Sequence, residues 1–355
     1  MVDGRGSRVV SHEDADVRAL ILPAQDRAEV QDVAPPRAHG GQVVVEVERA
    51  GVCGTDVELF HGTLSYVRDG STRYPIRPGH EWCGRVRAVG AGVERSWLGR
   101  RVTGDTMLGC GRCVDCTNGR HHVCATRTEI GVRGDQPGAL AERLAVPVSA
   151  LHVLPEVLTP AAGALVEPGG TALRAVRAAR LGGGEHVLVL GGGTIGLLTA
   201  AFAVVHGARV DVADPRPEAL ALVPRYGAVP VPLEELGEDG RYDVVVDAST
   251  GTDSPARAVR LVRPAGRLVL AGLSSAPSLL DTRELVFKDA TVVGLLGASS
   301  GLEGAITWYA AGEVVPDDLV AAVVGLAGVA DVLAGHRPAG AGPGPKVQVE
   351  PGLPG

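Results

Sequence analysis

Lysine is almost absent from this chain of 355 residues, and positive charge is not in excess. Lys288 and Lys346 are its two lysines, so 32 of the 34 Lys and Arg residues are arginines, against 41 Asp and Glu residues. The formal charge is −7 at pH 7 and the pI is about 5.8. This balance disfavours nucleic acid or an anionic membrane surface as a partner. We interpret the excess of arginine over lysine as coding bias.

The N-terminal stretch MVDGRGSRVVSHEDADVR has no apolar core followed by a small-residue cleavage site, so it does not resemble a secretory signal. Residues 187–205 are apolar, but glycines interrupt them and strand and turn signals flank them. This pattern favours a buried β-turn-α unit over a membrane span. We therefore expect a cytoplasmic protein, whose six cysteines are metal ligands or buried thiols and not disulfides.

The length and the 45% hydrophobic content predict two domains. After a polar extension over 1–16, short β-type runs separated by Pro and Gly predict an all-β, barrel-like region. Beyond Thr159 the pattern alternates. Strands are predicted at 186–190, 209–213, 242–247, 267–272 and 291–295, and helices at 194–206, near 216–226 and near 254–262. Alternation at this spacing predicts an α/β domain with a doubly wound parallel sheet. A helix over 301–311 then leads to a Gly/Pro-rich tail, whose KVQVE segment could rejoin the first domain.

The segment EHVLVLGGGTIG, residues 185–196, combines a buried parallel strand with a glycine turn and the start of a helix. Gly191, Gly193 and Gly196 give the G-x-G-x-x-G spacing, and Thr194 and Ile195 lie within it. The glycines allow a tight turn, the approach of a pyrophosphate and close helix–strand packing, and the helix N-terminus faces the phosphates. The pattern predicts a dinucleotide site, with a Rossmann sheet that binds S-adenosylmethionine or nothing as the alternative.

Cofactor choice depends on Asp214, which ends the next strand 18 residues after Gly196. A carboxylate at this position binds the ribose hydroxyls and repels a 2′-phosphate, so NAD is favoured. Arg216, two residues further on, leaves NADP possible.

Four cysteines with the spacing C-x2-C-x2-C-x7-C occupy the loop-like stretch GCGRCVDCTNGRHHVC: Cys110, Cys113, Cys116 and Cys124. Four thiolates this close can surround one zinc ion and leave no position for water, which predicts a structural site. An iron-sulfur cluster is the main competitor, but bacterial ferredoxins continue with x3-C-P, whereas here the gap is seven residues and Ala125 follows. Substitution of His121 or His122 for one of the cysteines is a lesser alternative.

Other residues that can bind metal are scattered: Cys53 in GVCGTD, His80 and Glu81 in GHEWCG, and Glu167 in LVEPGG. A catalytic zinc takes about three ligands of these types and keeps one position open. Each residue alone means little, because a lone Cys-His pair is more often buried packing. Their order relative to the cysteine loop and the glycine turn is what makes them candidate ligands of a catalytic zinc.

Taken in this order, GVCGTD, GHEWCG, the four-cysteine loop, Glu167-Pro168, VLVLGGGTIG, YDVVVDAST and RPAGRLVLAG resemble the zinc-dependent alcohol dehydrogenases of the medium-chain dehydrogenase/reductase family. The resemblance covers roughly residues 17–350. It implies a GroES-like catalytic domain over 17–165 with a structural zinc lobe at 105–126, a Rossmann NAD-binding domain over 166–297, and a return to the catalytic domain over 298–355. The implied cofactors are one catalytic zinc, one structural zinc and NAD(P).

Residue roles also follow from this resemblance. Cys53 and His80 become catalytic zinc ligands, and Glu167 is the expected third ligand, as in the polyol dehydrogenase branch. Glu81 is ranked slightly lower, as a ligand in one zinc state or as a neighbour of the ligands. Thr55 matches the hydroxyl that binds the substrate oxygen and starts the proton relay, and Asp56 matches a residue that orients a ligand.

The chain departs from the family pattern at several positions. The histidine that often passes the proton to solvent is replaced by Val57-Glu58-Leu59, and His61 lies further on. Glu58 is either a hydrogen-bond partner of a polyhydroxyl substrate or a solvated helix carboxylate. Cys83 is expected to be a small buried thiol. Gly169 and Gly170 follow Pro168 where the family has leucine and alanine, and we expect them to loosen this helix.

The sequence thus predicts an NAD(H)- and zinc-dependent dehydrogenase that acts on a secondary alcohol of a polyol, cyclitol, aminocyclitol or sugar-like substrate. The nearest rival is an L-threonine-type or general secondary alcohol dehydrogenase, and a different class is a nucleotide-binding relative without turnover. A homodimer or homotetramer is expected, associated through the edge strand near 291–295.

Overall fold

The computed structural model describes residues 15–237 and 239–353, so the predicted polar extension over 1–16 lies outside the described residues except for its last two positions. The elements up to residue 164 are β1 (Val17–Ala24), β2 (Arg27–Val33), β3 (Gln42–Gly51), α1 (Gly54–Phe60), α2 (Ser65–Arg68), β4 (Glu81–Val89), β5 (Arg101–Gly104), β6 (Met107–Leu108), α3 (Val114–Thr117), β7 (Thr128–Glu129), β8 (Arg143–Pro147), β9 (Leu151–Val153) and α4 (Pro160–Ala164). The later elements are α5 (Val166–Ala179), β10 (His186–Leu190), α6 (Thr194–Val205), β11 (Arg209–Asp214), β12 (Val229–Pro232), β13 (Tyr242–Asp247), α7 (Ser254–Leu261), β14 (Val262–Leu270), α8 (Thr282–Lys288), β15 (Thr291–Gly294), α9 (Leu302–Ala310), β16 (Val320–Val324), α10 (Val329–Leu333) and β17 (Lys346–Val349).

A mostly antiparallel sheet of seven strands forms the first part of the molecule. Its order is β16-β17-β3-β4-β5-β9, and β8 also pairs with β3. Val43, Val45 and Val47 of β3 pack with the fully buried Trp82 in one core. The last strand, β17, pairs antiparallel with β3, with Gln348 opposite Gly51. The end of the chain therefore lies beside the strand that leads to Cys53.

The second sheet is parallel throughout and confirms the predicted doubly wound sheet. Its order is β12-β11-β10-β13-β14-β15, so the strand order reverses between β10 and β13. Both faces of β10 are buried: Val187 and Val189 pack in one core, and Leu188 and Leu190 in another. Strands covered on both faces read as continuous apolar runs, as this one does. Ligands of such sheets bind at the carboxyl ends of the strands, at the point of reversal.

The predicted helix near 216–226 is wrong. The segment forms two separate 3-10 turns, at Pro217–Leu220 and Val223–Tyr226. Proline lacks the backbone N–H that an α-helical hydrogen bond needs, and its ring clashes with the preceding turn. Pro224 therefore prevents the first turn from continuing as an α-helix. The predicted strand at 267–272 is also shifted, because β14 begins at Val262 and ends at Leu270.

Two helices position the residues around Glu167. Thr159 precedes α4 and its hydroxyl accepts a hydrogen bond from the Ala162 N–H (3.0 Å), with Pro160 in the first turn. Helix α5 follows after one residue, and Glu167 lies in its first turn. The helix continues through Gly169 and Gly170 without interruption. No helix in the described part of the chain has both the length and the apolar character needed to cross a membrane.

Candidate active site and metal centres

Cys53 is far from His80 and Glu81 in the sequence, but the three side chains lie close together. One atom of each side chain lies within 4.8 Å of the other two. Cys53 immediately precedes α1, and Glu81 is the first residue of β4, so the ends of a helix and a strand supply the three groups. Thiolate, imidazole and carboxylate are the donor types that zinc prefers.

Asp56 holds Cys53 and the segment before His80 in place through hydrogen bonds. Its carboxylate is fully buried and accepts hydrogen bonds from the N–H of Cys53 (2.9 Å) and of Gly79 (3.2 Å). One oxygen lies 3.6 Å from Nδ1 of His80, and that buried nitrogen has no hydrogen-bond partner among the described residues. Burial disfavours the charged imidazole, but the carboxylate of Asp56 outweighs this effect and holds the pKa of His80 well above its usual value.

Glu81 is not free, because it forms a buried ion pair with Lys346. The Lys346 ammonium lies 2.8 Å from both Glu81 oxygens and also donates to the carbonyl of Val52 (2.9 Å). Sequence reasoning did not find Lys346 as part of this site. The available signal was its rarity: it is one of two lysines in a chain that otherwise uses arginine.

The structure does not bring Glu167 into the same close set. The group within 4.8 Å of one another contains Glu81 and not Glu167. Glu167 is near enough for its charge to interact with His80, Glu81 and Lys346. Loss of hydration raises the pKa of Glu167 to about 7, opposed by His80 and supported by the charge of Glu81. The carboxylate that sequence ranked first is thus a neighbour of the set, and the one ranked second is a member.

Thr55 and Glu58 share one face of α1, because residues three apart lie side by side on a helix. The Thr55 hydroxyl is 3.9 Å from the Cys53 sulfur. The Glu58 carboxylate is part-buried, and no residue in the described ranges hydrogen-bonds to it. Loss of hydration raises the pKa of Glu58, and Arg68 partly offsets this. His61 follows the far end of α1, where its Nδ1 pairs with Asp26 (2.7 Å).

The four cysteines of the loop gather as the spacing predicts. Their sulfurs lie within 4.8 Å of one another, and those of Cys110 and Cys116 are 4.0 Å apart. A tetrahedron with zinc–sulfur bonds of about 2.3 Å has edges of roughly 3.8 Å, so this spacing fits one zinc ion. The N–H groups of Cys110 and Thr126 lower the pKa of Cys124 to about 6. Burial, together with contacts to the other sulfurs, raises that of Cys116 to about 12. A cation is what allows all four thiolates to form together.

The two histidines of this loop contact other elements. His121 Nε2 lies 2.7 Å from a carboxylate oxygen of Asp105, and His122 Nε2 lies 3.3 Å from the guanidinium of Arg174 on α5. Asp105 also accepts hydrogen bonds from the hydroxyl of Ser299 and the N–H of Met107, each at 3.0 Å. The loop is therefore docked on both the first sheet and the segment after β15. Sequence reasoning identified neither Asp105 nor Arg174.

The glycine turn between β10 and α6 has the geometry of a phosphate cradle. Gly191 has φ +105°, and a Cβ on Gly196 would lie 1.8 Å from the Gly191 carbonyl oxygen. A Cβ on Gly193 would meet nothing within 4 Å. Two glycines are thus required by the fold and the third leaves the backbone open. Thr194 and Ile195 begin α6, whose N–H groups face this opening.

Asp214 lies at the carboxyl end of β11, beside the same turn. Its oxygens accept from the N–H of Gly192 (2.9 Å) and from Nε and Nη2 of Arg216 (3.0 and 3.2 Å). Burial raises the pKa of Asp214, but these donors outweigh it and the net shift is downward. A cavity of about 440 Å³ follows the ends of β10, β11 and β13, lined by residues that include Gly191, Gly193, Asp214, Arg216 and Ser249.

Cys83 is buried and its sulfur lies 3.1 Å from the Pro160 carbonyl oxygen, as expected for a packed thiol. Burial raises the pKa of this thiol to about 12. Gly169 and Gly170 do not loosen α5 as predicted. A Cβ on Gly169 would lie 2.1 Å from the Tyr309 hydroxyl, and one on Gly170 would crowd Ala298 and Leu302. The glycines allow α9 to pack closely on the helix that carries Glu167.

Comparisons with known proteins agree with this geometry. The family model of the alcohol dehydrogenase GroES-like domain matches residues 39–156, and that of the zinc-binding dehydrogenases matches residues 194–311. The L-threonine 3-dehydrogenase of Anaeromyxobacter dehalogenans (strain 2CP-C) is 32% identical over 289 residues, which are 78% of this chain and 81% of that protein.

Two solved structures have the same fold. A zinc-binding dehydrogenase from Sinorhizobium meliloti 1021 bound to NADP has a TM-score of 0.86 at 29% identity, covering 95% of this chain and 100% of its own. The short chain alcohol dehydrogenase (rspB) from Escherichia coli CFT073, complexed with NADH, has a TM-score of 0.86 at 26% identity, covering 95% and 99%. With the two sheets, these similarities confirm the predicted pairing of a GroES-like barrel with a Rossmann sheet.

Proposed function

The chain belongs to the zinc-dependent alcohol dehydrogenases of the medium-chain dehydrogenase/reductase family, and from this premise we propose its reaction. It interconverts a secondary alcohol and a ketone on a polyol, cyclitol, aminocyclitol or sugar-like substrate, with NAD(H) as the redox partner. The observation that carries this proposal is the convergence of Cys53, His80 and Glu81 in a fold that also has the glycine cradle. The proposed division is a catalytic domain over 17–165, a nucleotide-binding domain over 166–297 and a return over 298–355.

We propose Cys53 and His80 as two ligands of a catalytic zinc, with a carboxylate as the third. Proximity favours Glu81, because it lies in the close set. Its ion pair with Lys346 favours Glu167 instead, because a carboxylate that neutralises a buried ammonium is costly to withdraw. Bound zinc would supply Lewis-acid polarisation of the substrate oxygen. The four cysteines Cys110, Cys113, Cys116 and Cys124 hold a second, structural zinc in this proposal.

Thr55 is the residue that we propose to transfer the proton. Its hydroxyl is placed beside Cys53, where it can donate a hydrogen bond to the alcohol or carbonyl oxygen of a substrate and pass on the proton. His61 is six residues along α1, about 9 Å at the helical rise, and it is paired with Asp26. A histidine exit directly beside Thr55 is therefore not part of the proposal.

A Thr55→Val variant tests this role. The change removes the hydroxyl and keeps the shape, so we expect kcat to fall about 100-fold or more, while zinc content and the KM for NAD stay within about twofold. Thr55→Ser, which keeps the hydroxyl, is the matched control and should retain most of the turnover. Full turnover in zinc-loaded Thr55→Val would remove Thr55 from the mechanism.

NAD is the proposed cofactor, with NADP as a second choice. Asp214 stands where a ribose diol would lie, next to the cavity at the ends of β10, β11 and β13. The glycine cradle and the N-terminus of α6 would receive the pyrophosphate. Arg216 lies against Asp214 and offers a cation to a 2′-phosphate.

The substrate class is supported by Glu58. This carboxylate is part-buried on the Thr55 face of α1 and no described residue hydrogen-bonds to it, so it is available to accept hydrogen bonds from a polyhydroxyl substrate. The L-threonine 3-dehydrogenase among its relatives keeps an amino-alcohol substrate as the rival. The deciding experiment follows nicotinamide absorbance with polyols, aminocyclitols, aldoses and L-threonine. Turnover of threonine alone would transfer the chain to the rival class. No turnover, with one zinc per chain in metal analysis, would favour a nucleotide-binding relative without turnover.

We further propose a cytoplasmic homodimer or homotetramer. Six cysteines without disulfides suit a reducing compartment. Strand β15 is at the edge of the parallel sheet, and α8 before it exposes Val286 and Phe287 at 76% and 85%. An open edge flanked by exposed apolar side chains favours self-association, which light scattering of the purified chain measures.

A further inference from the structure

A second cavity, of about 820 Å³, is lined by none of the residues of the proposed reaction. Its walls are the β1–β2 hairpin, the segment 73–77 that leads to His80, and the loop 134–137. Apolar side chains such as Ile21, Val33 and Ile76 form one part of the lining, and Arg73 and Arg77 form another. Its volume is within the range of small-molecule sites, about 300–1,000 Å³.

The walls of this cavity are held by backbone hydrogen bonds. Leu22 and Ile76 exchange two of them, at 2.8 and 3.0 Å, and the N–H of Gly138 donates to the carbonyl of Arg77 (2.7 Å). The N–H of Gly131 donates to the carbonyl of Gln136 (2.9 Å). The cavity is therefore a preformed feature of the fold.

Arg77 differs from three other part-buried arginines of this chain in its lack of an anionic partner. Its Nε is enclosed and has no acceptor, and no carboxylate of the described residues forms an ion pair with it. Arg49, Arg101 and Arg127, with side chains 15%, 13% and 14% exposed, each pair with a glutamate at 2.8–2.9 Å. Loss of hydration lowers the pKa of Arg77 to about 10, so it remains a cation at neutral pH. Asp135 also lines the cavity, but it is exposed and forms no ion pair with Arg77.

The guanidinium of Arg77 lacks the glutamate partner that Arg49, Arg101 and Arg127 have. Partly burying a cation without a partner costs free energy, and a bound carboxylate or phosphate offsets that cost. The planar fork of arginine suits both groups, because each offers two oxygens to parallel N–H donors. Arg73, exposed at the same rim, adds a second positive charge.

We propose that this cavity binds a small organic anion, with its carboxylate or phosphate against Arg77 and Arg73 and its apolar body against Ile21, Val33 and Ile76. The site is separate from the zinc and nucleotide sites, since none of their residues lines it. Its occupant is therefore not the dehydrogenase substrate or NAD, and the proposal stands or falls independently of the substrate class.

The test is calorimetric titration of the zinc-loaded full chain, saturated with NADH to block the nucleotide site, with p-bromophenyl phosphate. We expect one site per chain. Arg77→Leu should weaken binding at least tenfold, Arg77→Lys should weaken it less, and Arg95→Leu, at an exposed arginine outside the cavity, should leave it unchanged. Equal affinity in Arg77→Leu and the wild type, or no saturable binding to the wild type, would overturn the proposal.

Crystals of the wild type grown with the same probe give a second readout that does not require the variant to fold. The anomalous signal of bromine should lie between Ile21 and Ile76, and a signal only at other places overturns the assignment. Two further ligands separate the sources of the anion. Binding of p-bromobenzoate identifies carboxylates as the class of ligand. If p-bromobenzoate does not bind whereas p-bromophenyl phosphate does, the class is phosphates. Inorganic phosphate that binds as tightly as the aryl phosphate would contradict the role of the apolar wall.

Discussion

At the scale of single residues, the two lysines show what an arginine-rich chain cannot do with arginine. The Lys288 ammonium donates to the carbonyls of Val259, Arg260 and Val262 at 2.7–2.8 Å, and that of Lys346 donates to Val52 and Glu81. In each place several acceptors converge on one point. A compact ammonium with three donors meets them, whereas a planar guanidinium directs its donors into a plane.

Lys346→Met should therefore destabilise the fold strongly. The change leaves Glu81, 1% exposed, as a buried carboxylate without its cation. Breaking a buried pair in this way costs about 3–5 kcal/mol of unfolding free energy. Urea unfolding of the zinc-free chain, followed by circular dichroism, measures the change. Lys346→Arg, which keeps the charge, is the control and should lose less; a Met variant as stable as the wild type would show that the pair contributes nothing.

Arg216 offers a second prediction at this scale, on cofactor choice. Its side chain is 62% exposed and pairs with Asp214, so it is placed to contact a 2′-phosphate. Arg216→Ala should lower the NADP-to-NAD ratio of kcat/KM by about tenfold, because the carboxylate then repels the phosphate without a neighbouring cation. Initial-rate kinetics with both cofactors measure the ratio. Arg209→Ala, at the opposite, exposed end of β11, is the matched control, and an equal ratio in both variants contradicts the assignment.

At the scale of elements, Asp105 joins three parts of the chain. One oxygen contacts His121 of the cysteine loop, and the other accepts from Ser299 after β15 and from the N–H of Met107. The next residue, Thr106, donates its hydroxyl to the His80 carbonyl (3.2 Å). The loop that would hold the structural zinc is thus linked through a buried carboxylate to the nucleotide-binding part and to the candidate active site.

Asp105→Asn should loosen this link, because an amide has one acceptor oxygen and turns two N–H donors towards groups that also donate. A hydrogen bond to a charged group contributes about 1.5–3 kcal/mol, so a loss of that order is expected in urea unfolding near pH 6. Asp115→Asn, in the exposed pair with Arg120, should cost well under 1 kcal/mol.

The pH dependence follows from His121. Its hydrogen bond to Asp105 raises its pKa above the usual 6.5. A raised folded-state pKa stabilises the fold below the unfolded value, and this contribution is lost as pH rises through the folded one. The difference between the wild type and Asp105→Asn should therefore shrink between pH 6 and 9. A difference that stays constant or grows over this range would contradict the contribution of the His121 charge.

At the scale of the whole molecule, local patterns predicted the parallel sheet well. Strand β10 and helix α6 were predicted within a residue of their bounds, because a buried apolar run and a glycine turn are specified by adjacent residues. The segment 216–226 failed where Pro224 interrupts a helical pattern. The close set at the candidate site depended on contacts that no local pattern encodes: Lys346 reaches Glu81 across 265 positions, and Ser299 reaches Asp105 across 194.

The two sets of candidate zinc ligands should contribute differently to the stability and the turnover of the molecule. Cys113→Ser opens a set of four thiolates, and since a structural zinc adds its binding energy to folding, we expect one zinc fewer per chain and a Tm lower by several degrees. Cys53→Ala removes a ligand from the other set, and we expect one zinc fewer, turnover lost and Tm nearly unchanged. Cys83→Ala is the control, since that thiol packs against Pro160, and should keep both ions.

Elemental analysis and thermal unfolding together measure the zinc content and the Tm of all three variants. If Cys113→Ser kept both ions, the four-cysteine loop would not be a zinc site, and the docking through His121 and His122 would have to hold it in place unaided.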